Sequence, residues 1–399
     1  MAAELPGDDP QWERFRHEWT LPEDVVYLNH GSFGPSPRLV QEARANWQRQ
    51  LESEPVDFFL RRMEPLLEEA TEELARLFNA PADSLVFVDN ATAGMNIVAA
   101  SVELQSGDEV LLTDHEYGAV RRIWQKACER VGARVRVQPL PSPLQDEDEV
   151  VDTLLAAVNP RTKLLVVSHI TSPTAVILPV EKICQRAREW KLSVCIDGPH
   201  AVGIAPLDLQ RLDCDYYTAS CHKWLSAPFG SGFLYAHRRV QRSTCPAVVS
   251  WGGSVGGRAP TWRDEFNWIG TRDPSAFLAV PDAIRFLADV GWERFRNRAH
   301  SLARFARERL SAVTGFEPLV PDDPLWYGSM IAVPLPLQDA EPPASGRRDP
   351  LQDALWEQAR IEVPVVWWQR QRLIRVSCHL YTQRAEIELL AETLARLLA

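Results

Sequence analysis

Residues 215–232 read DYYTASCHKWLSAPFGSG, with Lys223 at their centre. CDYYTAS at 214–220 and GFLYAH at 232–237 are strand candidates, and the segment between them is a Gly- and Ser-rich turn. The chain contains 43 Lys plus Arg, yet lysine occurs only at 126, 163, 182, 191 and 223, so nearly every basic position is arginine. The other four lysines lie among polar or charged neighbours, where a solvated ammonium accounts for them. Lys223 stands between His222 and Trp224, just after an apolar run. A partly desolvated amine at such a place loses charge and becomes a nucleophile. An isolated lysine at a strand end more often only snorkels to solvent, so the role of Lys223 rests on its partners elsewhere.

The length, 399 residues, exceeds one ordinary core and suits two or three domains, or a large α/β domain with a smaller partner. A formal charge of −11 provides no basic footprint for nucleic acid or an anionic membrane surface, which leaves small molecules or other protein chains as partners. The seven cysteines are scattered and form no CxxC pair, against both a disulfide framework and a structural zinc site; no metal is expected. The start, MAAELPGDDPQWERFRHEW, lacks the basic and apolar regions of a signal peptide, and no later apolar run has membrane-spanning length. A soluble, cytoplasmic protein is expected.

Residues 1–20 read as an amphipathic arm, followed by VVYLNHGSFGPSP, a short strand and a turn that offers Asn29, His30 and Ser32 to a ligand. Helical spacing covers 37–51 and 65–78. Strands are then predicted at 84–88, 109–113, 133–138, 163–170, 192–197, 214–220 and 232–237, with amphipathic helices between most of them. This alternation predicts a largely parallel seven-stranded sheet covered on both faces, with functional residues at the carboxyl ends of its strands. After about residue 245 comes a Trp- and Gly-rich loop, then two helices over 274–314. Short strands around SMIAVPL, IEVPVV and LIRVSC, the insert DAEPPASGRRDP and a last helix complete a small α+β domain. The expected division is an arm and active-site loop at 1–35, a large α/β domain at 36–290 and a small α+β domain at 291–399.

The strand ends carry a constellation. After SLVFV, residues 89–94 (DNATAG) open a helix whose free NH groups suit an anion, although a simple N-cap explains them equally well. After EVLLT, His115 and Tyr117 each offer a ring to a flat ligand. His169 follows KLLVVS, and Asp197, in IDGPHA with His200, ends an apolar strand where a carboxylate needs a cationic or NH partner. Ser220, His222 and Lys223 end the next strand. A lysine, an acid, a helix N-terminus and a ring together match the needs of pyridoxal 5'-phosphate (PLP).

YLNHGSFGPSP, FVDNATAGMN, TDHEYGA, SHITSPTA, IDGPHA, SCHKWL, WIGTRDPSA and RVSCHLYT together resemble the class V aminotransferase family of fold-type I PLP enzymes, in particular its isopenicillin N epimerase-like branch, over nearly the whole chain. The resemblance implies that Lys223 is the Schiff-base lysine and moves protons at Cα, and that Asp197 meets the pyridine nitrogen. It implies phosphate contacts from Ala91, Thr92, Ser220 and His222. His169 falls beside the phenolic oxygen, and His200 is the histidine of the Asp-x-x-His pattern. Tyr117 is preferred to His115 as the stacking ring. Gly270 and Thr271 resemble a segment lent to the partner's phosphate in a homodimer with shared sites, and Arg375 matches the clamp for the substrate α-carboxylate.

The reaction is less constrained than the cofactor, because one scaffold hosts many chemistries. PVVWWQRQRLIRVS has no cysteine ahead of Arg375, which argues against the persulfide chemistry of desulfurases. Epimerisation of an amino acid needs a second acid/base across from Lys223, and Tyr117, His30 or His169 could supply it. A β-eliminating carbon–sulfur lyase is the alternative, with transamination or retro-aldol cleavage behind it. Trp251, Trp262, Trp268, Trp367 and Trp368 suit a large apolar substrate side chain or, equally, the core.

Overall fold

The computed structural model describes residues 10–337, 341–343 and 347–399. The first nine residues of the expected arm, and 339–340 and 344–346 of the expected insert, lie outside the described residues. Twelve strands occur among the described residues: β1 (Val26–Tyr27), β2 (Leu85–Val88), β3 (Glu109–Thr113), β4 (Arg134–Gln138), β5 (Thr162–Ser168), β6 (Ser193–Asp197), β7 (Tyr216–Ser220), β8 (Gly232–Ala236), β9 (Met330–Pro334), β10 (Ile361–Glu362), β11 (Val365–Trp368) and β12 (Gln371–Ser377). Seven of them form the expected sheet in the order β2-β8-β7-β6-β5-β3-β4. β8 runs antiparallel to both of its neighbours and the remaining pairs are parallel. The fold is thus α/β, with a mostly parallel central sheet and a three-stranded antiparallel sheet, β11-β12-β9, beyond it.

Strands β2, β3 and β8 are buried along their whole length because helices cover both faces of the sheet. Side chains alternate between two cores: Val110, Val166 and Cys195 pack on one face, and Leu111, Leu165, Val167, Ile196 and Tyr217 on the other. Each fully buried Val, Leu or Ile stabilises the fold by about 1.5–3 kcal/mol. Edge strand β4 instead exposes Arg134 and Arg136, charges that discourage pairing with another chain.

The helix after β2, Ala91–Ser101, begins at Asn90, whose side chain accepts from the Ala93 NH at 2.9 Å. It lies so close to β7 that a Cβ at Gly94 would stand 2.2 Å from Thr218 Oγ1; only glycine permits that approach. The segment expected as two helices over 274–314 contains three: Ser275–Leu278, Val280–Val290 and Trp292–Thr314. Gly291, with φ of +91°, makes the break between the last two. The N-terminal segment pairs with the end of the chain rather than with the large sheet: β1 lies parallel to β10, and the Ser377 NH donates to the Leu28 carbonyl at 2.9 Å. Among the described residues no helix is long and apolar enough to cross a membrane.

Candidate active site

The carboxyl ends of β5, β6 and β7 converge with the start of helix Ala91–Ser101 around a cavity of about 360 Å³. Its lining includes Ala91, Thr92, Tyr117, Asp197, His200, Ser220, His222 and Lys223. Parallel strands bring these residues together because each strand ends on the same rim while its crossover helix returns the chain to the opposite one.

Lys223 lies in the turn after β7. Its Nζ is 3.2 Å from His200 Nε2, and its carbonyl is 2.9 Å from His30 Nε2. Burial, reinforced by the charge of Arg375 and opposed by Asp197, lowers the Lys223 ammonium from 10.5 to about 7. The Trp224 indole donates to His200 Nδ1 at 3.5 Å, which leaves the His200 proton on Nε2, directed at the neutral amine. Burial followed by the Lys223 charge keeps that imidazole uncharged.

Asp197 ends β6. Its carboxylate is buried and accepts no hydrogen bond from any described residue. Burial, with the nearby charge of Glu116, raises it from 3.8 to about 7, while Lys223 pulls it down. Glu116 is satisfied where it stands: Ser168 NH, Ser168 Oγ and Thr113 Oγ1 donate to it at 3.1, 2.6 and 2.7 Å. A buried carboxylate left open to a cavity costs free energy unless a ligand completes it.

The helix start supplies the opposite charge preference. Ala91 NH donates to Ser220 Oγ at 3.0 Å and Ala93 NH to the Asn90 side chain, which leaves the Thr92 NH without a partner among the described residues at the positive end of the helix dipole. His222 adds a buried Nδ1 with no partner among the described residues. An anion fits here, some distance along the cavity from a cation or protonated nitrogen at Asp197.

Several expected residues sit elsewhere. His169 does not line this cavity: it has the parity of Leu165 and Val167, so its ring turns to the opposite face of the sheet, 3.0 Å from Tyr217 OH. Ser172, three residues on, lines the cavity in its place. Asn29 and His30 are also absent from the lining. Asn29 is buried against Glu362 at 3.2 Å, and His30 is fully enclosed between Tyr381 OH, the Lys223 carbonyl and a stacked His379 ring. Ser32 and Phe33 of the same loop reach the cavity instead. Tyr117 is half-exposed on the cavity wall, whereas His115 is sealed against Trp368 with its Nδ1 on Thr174 Oγ1 at 2.7 Å. Gly270 and Thr271 lie off this chain's cavity, with Gly270 at φ +111°.

Arg375, on β12, stands one layer behind the wall. Its Nη2 donates to Ser32 Oγ at 2.7 Å, its Nη1 reaches the Ser172 carbonyl, and its Nε has no acceptor among the described residues. Burial lowers the guanidinium to about 10, though it stays charged at neutral pH. The roles of Ser32, Phe33, Ser172 and Pro199 as lining were beyond sequence reasoning except for Ser32, whose Gly- and Pro-flanked loop marked it. No cysteine lines the cavity, and the exposed Cys245 is held at Ser101 on another part of the surface.

A family model described as aminotransferase class-V matches residues 41–390. Isopenicillin N epimerase of Amycolatopsis lactamdurans is 40% identical over 401 aligned residues, 97% of this chain and 98% of that protein. The putative L-cysteine desulfhydrase 1 of Oryza sativa subsp. japonica is 33% identical over 331 residues, 78% of this chain and 67% of its own length. Among solved structures, a variant of C-DES with glycine covalently linked to its PLP cofactor superposes with a TM-score of 0.81 at 24% identity, covering 95% of this chain and 98% of that one.

Proposed function

Since the chain belongs to the class V aminotransferase family, we propose that it is a PLP-dependent amino-acid epimerase of the isopenicillin N epimerase type. The carrying observation is one cavity that holds a buried, neutral-leaning Lys223 amine and the unpartnered Asp197 carboxylate. The residues fit the cofactor. Asp197 suits the pyridine nitrogen; the helix start at Ala91 and Thr92, with Ser220 and His222, suits the phosphate; Tyr117 is placed to cover the ring; and Lys223 is the covalent anchor. Bound there, PLP withdraws electrons from the substrate Cα and so makes its proton removable.

The remaining steps belong to the chain. Lys223 accepts the Cα proton, since an amine near pH 7 is free to do so. His200, whose Nε2 stands 3.2 Å from that amine, orients it. Inversion needs an acid on the opposite face. With His30 and His169 turned out of the cavity, Tyr117 is the candidate that lines it. Arg375, poised behind the Ser32 and Ser172 hydroxyls, supplies the charge for the substrate α-carboxylate. The same reading makes the protein a cytoplasmic homodimer in which Gly270 and Thr271 complete the partner's phosphate site. It also divides the chain into an arm and active-site loop at 1–35, a large PLP-binding α/β domain at 36–290 and a small α+β domain at 291–399.

Likeness to a cysteine desulfhydrase keeps β-elimination of cysteine conjugates as the second reading. Incubation of the PLP-loaded protein with L- and D-amino acids and cysteine conjugates in D₂O separates them. Deuterium at Cα with inversion is the expected result. Release of pyruvate and a thiol establishes the lyase instead, and absence of any Cα exchange overturns both.

A further inference from the structure

His169, which the lysine cavity does not use, opens onto a different one. A cleft of about 610 Å³ has His169 in its lining and shares no lining residue with the lysine cavity. It is bounded by the segment after β5, the loop around Ile204, the helix Trp292–Thr314 and the loop that leads into β9. These walls are tied to one another. Leu178 NH donates to the His169 carbonyl at 2.9 Å, and Ile177 NH to the Trp326 carbonyl at 2.8 Å. His300 Nδ1 is 3.3 Å from the Gly328 carbonyl, and a Cβ at Gly328 would stand 2.4 Å from Ile204 Cγ2.

The polar groups of the cleft are unevenly satisfied. Its carboxylates are matched: Glu147 pairs with Lys182 at 3.0 Å and Glu181 with Arg211 at 2.6 Å. Arg296 is left over. Its Nε donates to the Gly203 carbonyl at 3.1 Å, which fixes the guanidinium beside Ile204, while its two Nη have no acceptor and no ion pair among the described residues. The exposed Glu293 is the carboxylate that bears on it electrostatically, from beyond ion-pair distance. With the two pairs cancelling, the lining carries one net positive charge. His169 is only 7% exposed; Tyr217 OH occupies its Nδ1 at 3.0 Å, and its Nε2 has no partner among the described residues yet is not sealed from the cleft. Ser329, in the same lining, has a buried Oγ without a partner. Between Arg296 and His169 the walls are apolar, with Ile177, Val180 and Ile204. Solvent accounts for paired charges at a cleft mouth. It does not account for a histidine more than nine-tenths buried whose second ring nitrogen opens onto apolar walls.

We infer that this cleft is a second ligand site, separate from the lysine cavity, for a small monocarboxylate with an apolar body: the carboxylate on Arg296, the body against Ile177, Val180 and Ile204, and a polar group at its far end on His169 Nε2. One unpaired guanidinium with two open Nη suits one carboxylate. The apolar walls exclude a ligand charged along its length. The site does not depend on the reaction proposed for Lys223.

The probes are 3-(4-hydroxyphenyl)propanoate, its primary amide, and 3-phenylpropanoate, each titrated calorimetrically into the PLP-loaded protein. The hydroxylated acid is expected to bind at least about tenfold more tightly than its amide, a preference worth about 1.4 kcal/mol. It should bind about threefold or more tighter than 3-phenylpropanoate, as one added hydrogen bond gives. Arg296→Gln should bring acid and amide together, whereas Arg375→Gln, which removes the guanidinium behind the lysine cavity, should leave the preference intact. Leu325→Glu, at a half-exposed position on the mouth, sets a like charge there without disturbing the core and should weaken the acid but not the amide, which decides the matter if Arg296→Gln does not fold. Equal binding of acid and amide to the parent protein overturns the site. So does a preference that survives Arg296→Gln and is lost in Arg375→Gln, which belongs to the lysine cavity. Equal binding of the two acids removes His169 from the site and overturns that part of the assignment.

Discussion

Strands β6 and β7 have polar residues at both ends, and the two ends are treated differently. At the amino end, Asp215 accepts from Val194 NH at 2.8 Å and Arg239 Nε at 2.6 Å, while Asp213 is held by Arg239 at 2.7 Å and by Arg188. Those bonds hold the Asp213 carboxyl below its ordinary value. At the carboxyl end, Asp197, His222 Nδ1 and Arg375 Nε have no comparable partners. Fully paired charges stabilise a fold; polar groups buried and left open are tolerated where a ligand completes them.

The largest test of this contrast is Lys223→Ala, which should reduce Cα deuterium exchange by about 10³-fold or more, as loss of a positioned base does. Retention of exchange within tenfold would place the base elsewhere on the rim. Next comes Asp197→Asn, expected to reduce exchange about 10²-fold while stabilising the cofactor-free protein at pH 8. Burial raises Asp197 to about 7, so the folded chain keeps a proton that the unfolded chain releases near 3.8. Its stabilising contribution is present below 3.8 and is lost as pH rises through about 7. Lys223 contributes in the opposite sense, above 10.5, and that contribution is lost as pH falls toward about 7. Melting of cofactor-free Asp197→Asn at pH 8 should exceed that of the parent by about 1–3 °C, and a lower melting point would contradict the reading of Asp197 as destabilising.

The smallest effect on catalysis belongs to the paired end. Arg239→Ala should leave Cα exchange unchanged but cost about 1–3 kcal/mol of stability, toward the low side because the guanidinium is 39% exposed. Chemical denaturation measures it, and loss of exchange without loss of stability would erase the distinction between the two ends.

Much of the site was legible because its grammar is local. A run such as LSVCID places a carboxylate at a strand end, and DNATAG places a cap and a small first turn at a helix start. His169 stands off the cavity because a strand end presents successive residues to opposite faces, and one position of parity sends its ring to Tyr217 while Ser172 takes the wall. Asn29 and His30 stand off the cavity for a different reason: their loop packs against β12 and the Lys223 turn, contacts more than 190 residues away in sequence that no local pattern encodes.

The sequence by itself determined the layered α/β architecture, because strand and helix periods and their alternation are properties of neighbouring residues. It marked Lys223 and Asp197 as the candidates for the centre of the chemistry, because a rare lysine and a strand-ending acid stand out against their surroundings. Only the tertiary structure decided that the Lys223 amine is buried with its ammonium lowered to about 7, and that His200 stands beside it. Those facts depend on desolvation and on the juxtaposition of distant segments, and both arise only when the chain is folded.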